Sequence, residues 1–410
     1  MKKFEELNIN SDILKAIQDA RFERPSEIQE KVIPLVLERK DVIAGSATGS
    51  GKTLAFGTGI IQNTTKGKGI QSLVLTPTRE LAEQIAQELK KFSKYKPLKI
   101  VCVYGGLSIN PQIHALRTAD VVIGTPGRTL DHLSRRTMNL SKVKTLVLDE
   151  ADRMLDMGFI DDVRNIIEQC SQERQTMLFS ATIPKDIAQL ANRYMINPVK
   201  VSAEVYVDPK KLSQVYYNVP NKMKFAFLVH MLKNSNAHLS MIFCNSKMNV
   251  DFVANNLRQL KIDAIAMHGG FSQQKRNDAL KRINTGRAYV LVCTDVAARG
   301  LDIKGVSHVY NYDIPNESKQ YVHRIGRTAR AGKDGMAVNI LCERDHDNFS
   351  RVLRDNDVSI AKEDMPQVER VRVSWIPNSN SRGQGFNRGN QRGFGSRGRF
   401  NRPNQRSYRR

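Results

Sequence analysis

Through the N-terminal half of this chain one phrase recurs: a short run rich in Val, Ile and Leu ends in small or polar residues, and a helical pattern follows. The runs are Asp41-Val-Ile-Ala44, Ser72-Leu-Val-Leu75, Lys99-Ile-Val-Cys-Val103, Asp120-Val-Val-Ile123, Thr145-Leu-Val-Leu148 and Thr176-Met-Leu-Phe179. Unbroken apolar runs of this length suit strands buried on both faces, and their alternation with helices implies parallel βα units. Ligands of an open parallel sheet bind beyond the carboxyl ends of its strands. The residues after each run are therefore expected to converge on one edge.

A second series follows the polar stretch Val205-Tyr-Val-Asp-Pro-Lys-Lys211, with runs at Ser240-Met-Ile-Phe243, Ala264-Ile-Ala-Met267, Tyr289-Val-Leu-Val-Cys293, His308-Val-Tyr310 and Ala337-Val-Asn-Ile-Leu341. The fold class expected is α/β with two tandem domains: 1–205, a linker 206–211, 212–360, a short extension 361–376 and a tail 377–410. The second domain has no phosphate loop of its own. It is either an unrelated domain or a degenerate copy that completes the first domain's site, and its arginines favour the copy.

The formal charge of +23, from 64 Lys+Arg against 41 Asp+Glu, points to a polyanionic partner. From Pro377 onward there is no acidic residue, no lysine and no aliphatic side chain, so no core is expected there. Nine arginines (382, 388, 392, 397, 399, 402, 406, 409 and 410) are interleaved with Phe386, Phe394, Phe400 and Tyr408, offering charge to phosphates and flat faces to bases. No apolar run approaches the roughly 18 residues of a membrane span, and no membrane partner is expected. Cys102, Cys170, Cys244, Cys293 and Cys342 lack paired metal spacing and read as reduced core residues of a cytoplasmic protein. His268 and His308 stand singly and are given no metal role.

Two segments carry the chemistry. Ser46-Ala47-Thr48-Gly49-Ser50-Gly51-Lys52-Thr53 departs from the strict phosphate-loop pattern at Ser46 but keeps its functional core. Its glycines let backbone N–H groups approach phosphates, Lys52 reaches the β and γ oxygens, and the Thr53 hydroxyl is placed to ligate Mg²⁺. In Asp149-Glu150-Ala151-Asp152, Asp149 ends a buried strand and faces the metal, Glu150 polarises the attacking water, and Asp152 is expected to couple the site to its surroundings. ATP and Mg²⁺ are the expected cofactors.

With these motifs the chain, from about residue 4 to residue 342, resembles a DEAD-box ATP-dependent RNA helicase of superfamily 2, with two RecA-like domains. Phe22-Glu-Arg-Pro-Ser-Glu-Ile-Gln29 resembles the family's adenine-recognition segment. The resemblance implies that Gln29 reads the adenine edge and that Phe4 stacks on the ring, although Arg21 stands where glycine is usual. Pro77-Thr78-Arg79-Glu-Leu81, Gly105-Gly106 and Thr125-Pro-Gly-Arg128 resemble motifs that grip the RNA backbone, and Ser180-Ala-Thr182 resembles the link from ATP binding to unwinding. In the second domain, Ile242-Phe-Cys-Asn-Ser246, Gln273-Gln-Lys-Arg276 and Thr294-Asp-Val-Ala-Ala-Arg-Gly-Leu-Asp302 resemble RNA-contact and coupling motifs, with Asp302 implied at the ribose. His323-Arg-Ile-Gly-Arg327-Thr-Ala-Arg330 is the most specific match. It implies a coupling role for His323 and arginine fingers at Arg327 and Arg330. Ala329 sits where many relatives have glycine.

What the resemblance implies is an RNA-stimulated ATPase whose two domains close on ATP and RNA together, bending one strand so that a short duplex loses pairing. An ATP-gated RNA clamp or chaperone fits the same residues.

Overall fold

The computed structural model describes residues 2–45, 50–202, 211–298, 301, 303, 305–329, 334–356 and 360–374. Ser46 to Gly49, Asp302, Arg330, Trp375 and the tail from Pro377 lie outside them. The chain divides into a compact unit, Met1–Arg372, and a second, Val373–Arg410, of which only Val373 and Ser374 are described.

The compact unit holds two seven-stranded sheets. The first is built from β1 (Val42–Gly45), β2 (Ser72–Leu75), β3 (Ile100–Val103), β4 (Val121–Gly124), β5 (Thr145–Asp149), β6 (Gln175–Ser180) and β7 (Val199–Ser202) in the order β3-β4-β2-β5-β6-β1-β7, all pairs parallel. The second is built from β8 (Leu212–Asn218), β9 (Ser240–Phe243), β10 (Ala264–Met267), β11 (Val290–Cys293), β12 (His308–Asn311), β13 (Gly335–Leu341) and β14 (Ala361–Glu363) in the order β10-β11-β9-β12-β13-β8-β14, again parallel. Adding seven to each strand number of the first order gives the second. The second domain is therefore a topological copy of the first, which decides between the two readings of its sequence.

Alternation along each strand feeds helices on both faces. In β2, Leu73 and Leu75 enter one core cluster and Val74 the other; in β9, Met241 and Phe243 enter one and Ile242 the other. Of the three strands without a matching apolar run, β7 and β14 lie at a sheet edge, and β8, paired with β13 and β14, is only partly buried. β14 lies within the expected extension and pairs with Val215 to Tyr217, so residues 361–363 belong to the second sheet.

The register sorts the first domain's motifs. β5, β6 and β1 are neighbours, with Asp149 opposite Phe179 and Gly45 opposite Ser180, so the acidic turn, the Ser180 segment and the phosphate loop emerge together. The segments expected to grip RNA follow β2, β3 and β4 on the other half of the same edge.

Both departures from glycine sit in left-handed backbone. Arg21 (φ +58) closes helix Ser11–Asp19: its N–H donates to the Gln18 carbonyl (2.9 Å) and that of Phe22 to Ile17 (3.3 Å). Arg39, Arg136 and Lys261 close three other helices in the same way, with φ of +60, +54 and +60. A side chain in this region is strained, and a cation beside the helix carbonyls offsets part of the strain. Ala329 (φ +55) packs against Gly335, where a Cβ would collide with Thr328 Oγ1 and with the Ala329 backbone N and Cβ. Arg21→Gly is accordingly expected to stabilise the first domain by about 0.5–1 kcal/mol. Urea unfolding checks this, and a lower midpoint would show that the arginine's helix-end contacts outweigh its strain.

Candidate functional site

β5 delivers Asp149 and Glu150 into the interior, where they are 2% and 3% exposed. Helix Ala151–Asp156 starts at once, and Glu150, its cap, turns the chain in left-handed backbone (φ +53). Asp149 Oδ1 accepts the Glu150 N–H (3.0 Å) and lies 3.4 Å from the buried Lys52 Nζ. Burial pushes the Asp149 carboxyl up, Lys52 opposes that, and the neighbouring Glu150 adds to it. Arg153 Nη1 lies 3.2 Å from Glu150 Oε2. Among the described residues neither Glu150 carboxylate oxygen has a hydrogen-bond partner.

Asp152, Ser180 and Thr182 form one knot. The Asp152 N–H donates to Ser180 Oγ (3.1 Å), whose hydroxyl donates to the Thr182 carbonyl (2.6 Å), while Asp152 Oδ2 accepts both the N–H and the hydroxyl of Thr182 (3.0 and 3.1 Å). Any shift of the acidic turn is thus transmitted to the segment after β6.

Gln29 holds the phosphate loop. Its Oε1 accepts the Ser26 N–H (2.9 Å), its Nε2 donates to the Gly51 carbonyl (3.0 Å), and Ser26 Oγ donates to the Ser50 carbonyl (2.7 Å). Gly51 (φ +93) heads helix Lys52–Asn63, and a Cβ there would collide with the Gln29 amide. Thr53 follows in the first turn, half-buried. Phe4 is 3% exposed within the core cluster that includes Ile28 and Val32.

On the other half of the edge, the loops brace one another. The Arg79 guanidinium lies over Gly106 (φ +81), where a Cβ would strike it, and Arg128 donates twice to the Leu107 carbonyl (3.2 Å each). Thr78 and Ser246 cap helices Arg79–Phe92 and Lys247–Gln259, and Thr125 heads helix Pro126–Ser134. Helix N-termini of this kind attract phosphate oxygens. Pro77, Thr78, Arg79, Thr125 and Arg128 line a cleft of about 480 Å³ that Phe271 and Arg276 of the second domain complete. Gly106, Ser246 and Thr294 do not line it; Thr294 Oγ1 instead accepts the Ala297 N–H (3.4 Å).

Glu80 closes the floor between the domains. It is 3% exposed, and its Oε1 accepts Gln273 Nε2 (3.1 Å) and meets Arg276 Nη1 (3.1 Å). Sequence reading passed over Glu80, because an acid in the first turn of a helix is ordinarily a dipole partner. Arg324 was likewise not singled out, yet it ties the second domain's loops together, bidentate on Asp295 (2.6 Å each) and bonded to Asn245 (2.9 Å). Arg327, 4% exposed, donates to the Leu301 carbonyl. With His323 it shares a small cavity with Arg153 of the first domain.

The family model described as DEAD/DEAH box helicase matches residues 26–190, and that described as helicase conserved C-terminal domain matches 223–332. The chain is 43% identical over 375 residues to the DEAD-box ATP-dependent RNA helicase CshA of Geobacillus kaustophilus, covering 90% of this chain and 80% of that one. It is 45% identical over 346 residues to the Bacillus subtilis protein of the same name, covering 83% and 70%. The chain belongs to the DEAD-box family of ATP-dependent RNA helicases. Among solved structures, S. cerevisiae Dbp5 bound to RNA and ADP BeF3 superposes with a TM-score of 0.81 at 31% identity, covering 89% of this chain and 96% of that one. A DEAD box protein from Methanococcus jannaschii gives 0.56 at 40% identity, covering 88% and 99%.

Within this helicase the first domain's acidic turn therefore lies against the second domain's His323 and Arg327, although they are far apart in the sequence. Burial, and next Arg153, push the His323 imidazole down to about 4; Arg327 adds to this, while Asp152 and Glu150 oppose it. A closed site that excludes the proton is fully favoured above the ordinary histidine value of about 6.5 and loses that advantage as pH falls toward about 4. From pH 7 to 5.5, RNA affinity of the helicase with a non-hydrolysable ATP analogue should fall by up to about eightfold. His323→Asn should flatten that slope, and an unchanged slope would remove His323 as its cause. Gly106→Ala, by displacing Arg79, should weaken RNA binding about tenfold in fluorescence anisotropy, the worth of roughly one charge-assisted contact. Undiminished affinity would detach the Arg79–Gly106 contact from the RNA surface.

Proposed function

We propose that the helicase separates short RNA duplexes by closing its two domains on ATP and one RNA strand at once, so that hydrolysis resets the clasp. The observation that carries this reading is the single interface that joins both halves of the edge: Glu80 with Gln273 and Arg276 in the cleft, and Arg153 with His323 and Arg327 at the acidic turn. The domain arrangement agrees better with the relative solved with RNA and ADP BeF3 than with the more similar Methanococcus sequence, which supports a closed form.

In this reading Gln29 and Phe4 serve the adenine, residues 46–53 the phosphates, Asp302 the ribose, and Arg327 and Arg330 the γ-phosphate. A Mg²⁺ ion fits Asp149 and Thr53, because a buried carboxylate at a strand end beside the Glu150 oxygens, which make no hydrogen bond among the described residues, leaves acceptor positions open to a cation. Bound there, the ion neutralises phosphate charge. Lys52 binds the β and γ oxygens, and Glu150 orients water and accepts its proton. Arg79, Arg128 and Arg276 hold the RNA backbone together with Pro77, Thr78, Gly106, Thr125, Ser246 and Thr294. The Asp152–Ser180–Thr182 knot carries strain between the two halves. The arginines of residues 377–410 add affinity without reading sequence. The five free cysteines support the cytoplasm as its compartment. Among the described residues no helix is long and apolar enough to cross a membrane.

Glu150→Gln tests the reading. It should bind ATP and RNA as the wild type does yet hydrolyse at least about a hundredfold more slowly, the usual contribution of a general base. Lys52→Ala should lose ATP binding. Wild-type turnover by Glu150→Gln, measured as phosphate release with saturating RNA, would remove Glu150 from the water.

A further inference from the structure

Arg153, the residue after the acidic turn, carries a charge that the mechanism above does not use. It is 3% exposed, as deeply placed as Glu150 itself. Its Nη1 lies 3.2 Å from Glu150 Oε2, in ionic contact but out of hydrogen-bond alignment, and among the described residues neither Nη1 nor either Glu150 oxygen has a hydrogen-bond partner. Burying two charges without aligned bonds is costly, and packing alone gives no reason to retain it. Beyond the guanidinium lies a cavity of about 10 Å³, room for about one water molecule, whose other walls are second-domain residues, among them Asp295, Gln320, His323 and Arg327. Arg153 therefore touches Glu150 on one side and the closed second domain on the other.

We propose that Arg153 is a positioning residue for hydrolysis, whose guanidinium fixes the Glu150 carboxylate toward the attacking water only when the second domain closes over it. The proposal rests on the reading of Glu150 as the group that orients that water. Glu150 stands in left-handed backbone and its carboxylate makes no hydrogen bond among the described residues, so the Arg153 guanidinium is the ionic contact in place to orient it. With the domains apart, the second-domain walls are gone, water reaches the guanidinium, and the attraction weakens with the rise in local dielectric. Closure on RNA thereby becomes a condition for a well-aimed Glu150.

The test uses the full-length protein, with Arg153→Gln and the charge-conserving Arg153→Lys. Arg153→Gln should lower RNA-stimulated kcat at least about tenfold while KM for ATP, RNA affinity with a non-hydrolysable ATP analogue and melting temperature stay near wild type. Arg153→Lys should restore most of the rate. In single-turnover hydrolysis, Arg153→Gln added to Glu150→Gln should cost less than about twofold more, because a group that acts through Glu150 has nothing left to position. A wild-type rate for Arg153→Gln beside a slow Glu150→Gln would overturn the proposal alone, as would a full multiplicative loss in the double variant or a parallel fall in kcat, ATP affinity and melting temperature. A wild-type rate for Glu150→Gln would overturn the reading of Glu150 itself.

Discussion

Two carboxylates side by side at the end of a buried strand are the constraint around which the first domain is arranged. Asp149 and Glu150 are almost wholly removed from water, and like charges at that spacing repel. Cations from both sides of the turn answer them: Lys52 from the helix after β1 and Arg153 from the helix that the turn begins. Parallel strands make the first of these pairings possible, because β1 and β5 both flank β6 and end on the same edge. Each carboxylate thus meets one cation, Asp149 the Lys52 ammonium and Glu150 the Arg153 guanidinium.

The same edge explains how two ligands are felt by one closure. On the proposed function, the strands serving nucleotide and those serving RNA occupy opposite halves of one sheet. The knot of Asp152, Ser180 and Thr182 lies on the nucleotide half. The second sheet repeats the order strand for strand and presents its own loops to both halves. It lacks a phosphate loop, and its loops instead supply Arg276 to the cleft and Arg327 to the acidic turn.

The contacts between the domains are suited to breaking as well as forming. Glu80 with Gln273 and Arg276 is a small polar cluster, and its partners regain water when the domains separate. A buried ion pair of this kind contributes little net stability, because desolvation offsets most of the attraction. An apolar seam of equal area would hold the clasp shut. A polar one lets binding and hydrolysis decide its state.

From the sequence alone came the parallel α/β class, the place of the continuously apolar strands, and the phosphate-loop and acidic-turn motifs as expectations. These are local matters: a strand buried on both faces must be continuously apolar, and a phosphate loop needs its glycines and lysine in consecutive positions. β7, β8 and β14 escaped, because β7 and β14 are edge strands and β8, though paired on both flanks, is only partly buried, which relaxes that pattern. Arg21 and Ala329 looked like irregularities; the structure shows both in left-handed backbone, Arg21 at a helix end and Ala329 against the bare Gly335. Only tertiary structure disclosed that the second domain copies the first, that Glu80 meets Gln273 and Arg276, and that Arg153 lies between Glu150 and the second domain. Those contacts join residues distant in the chain through the order of the strands and the closure of two domains, and no local pattern of residue types encodes either.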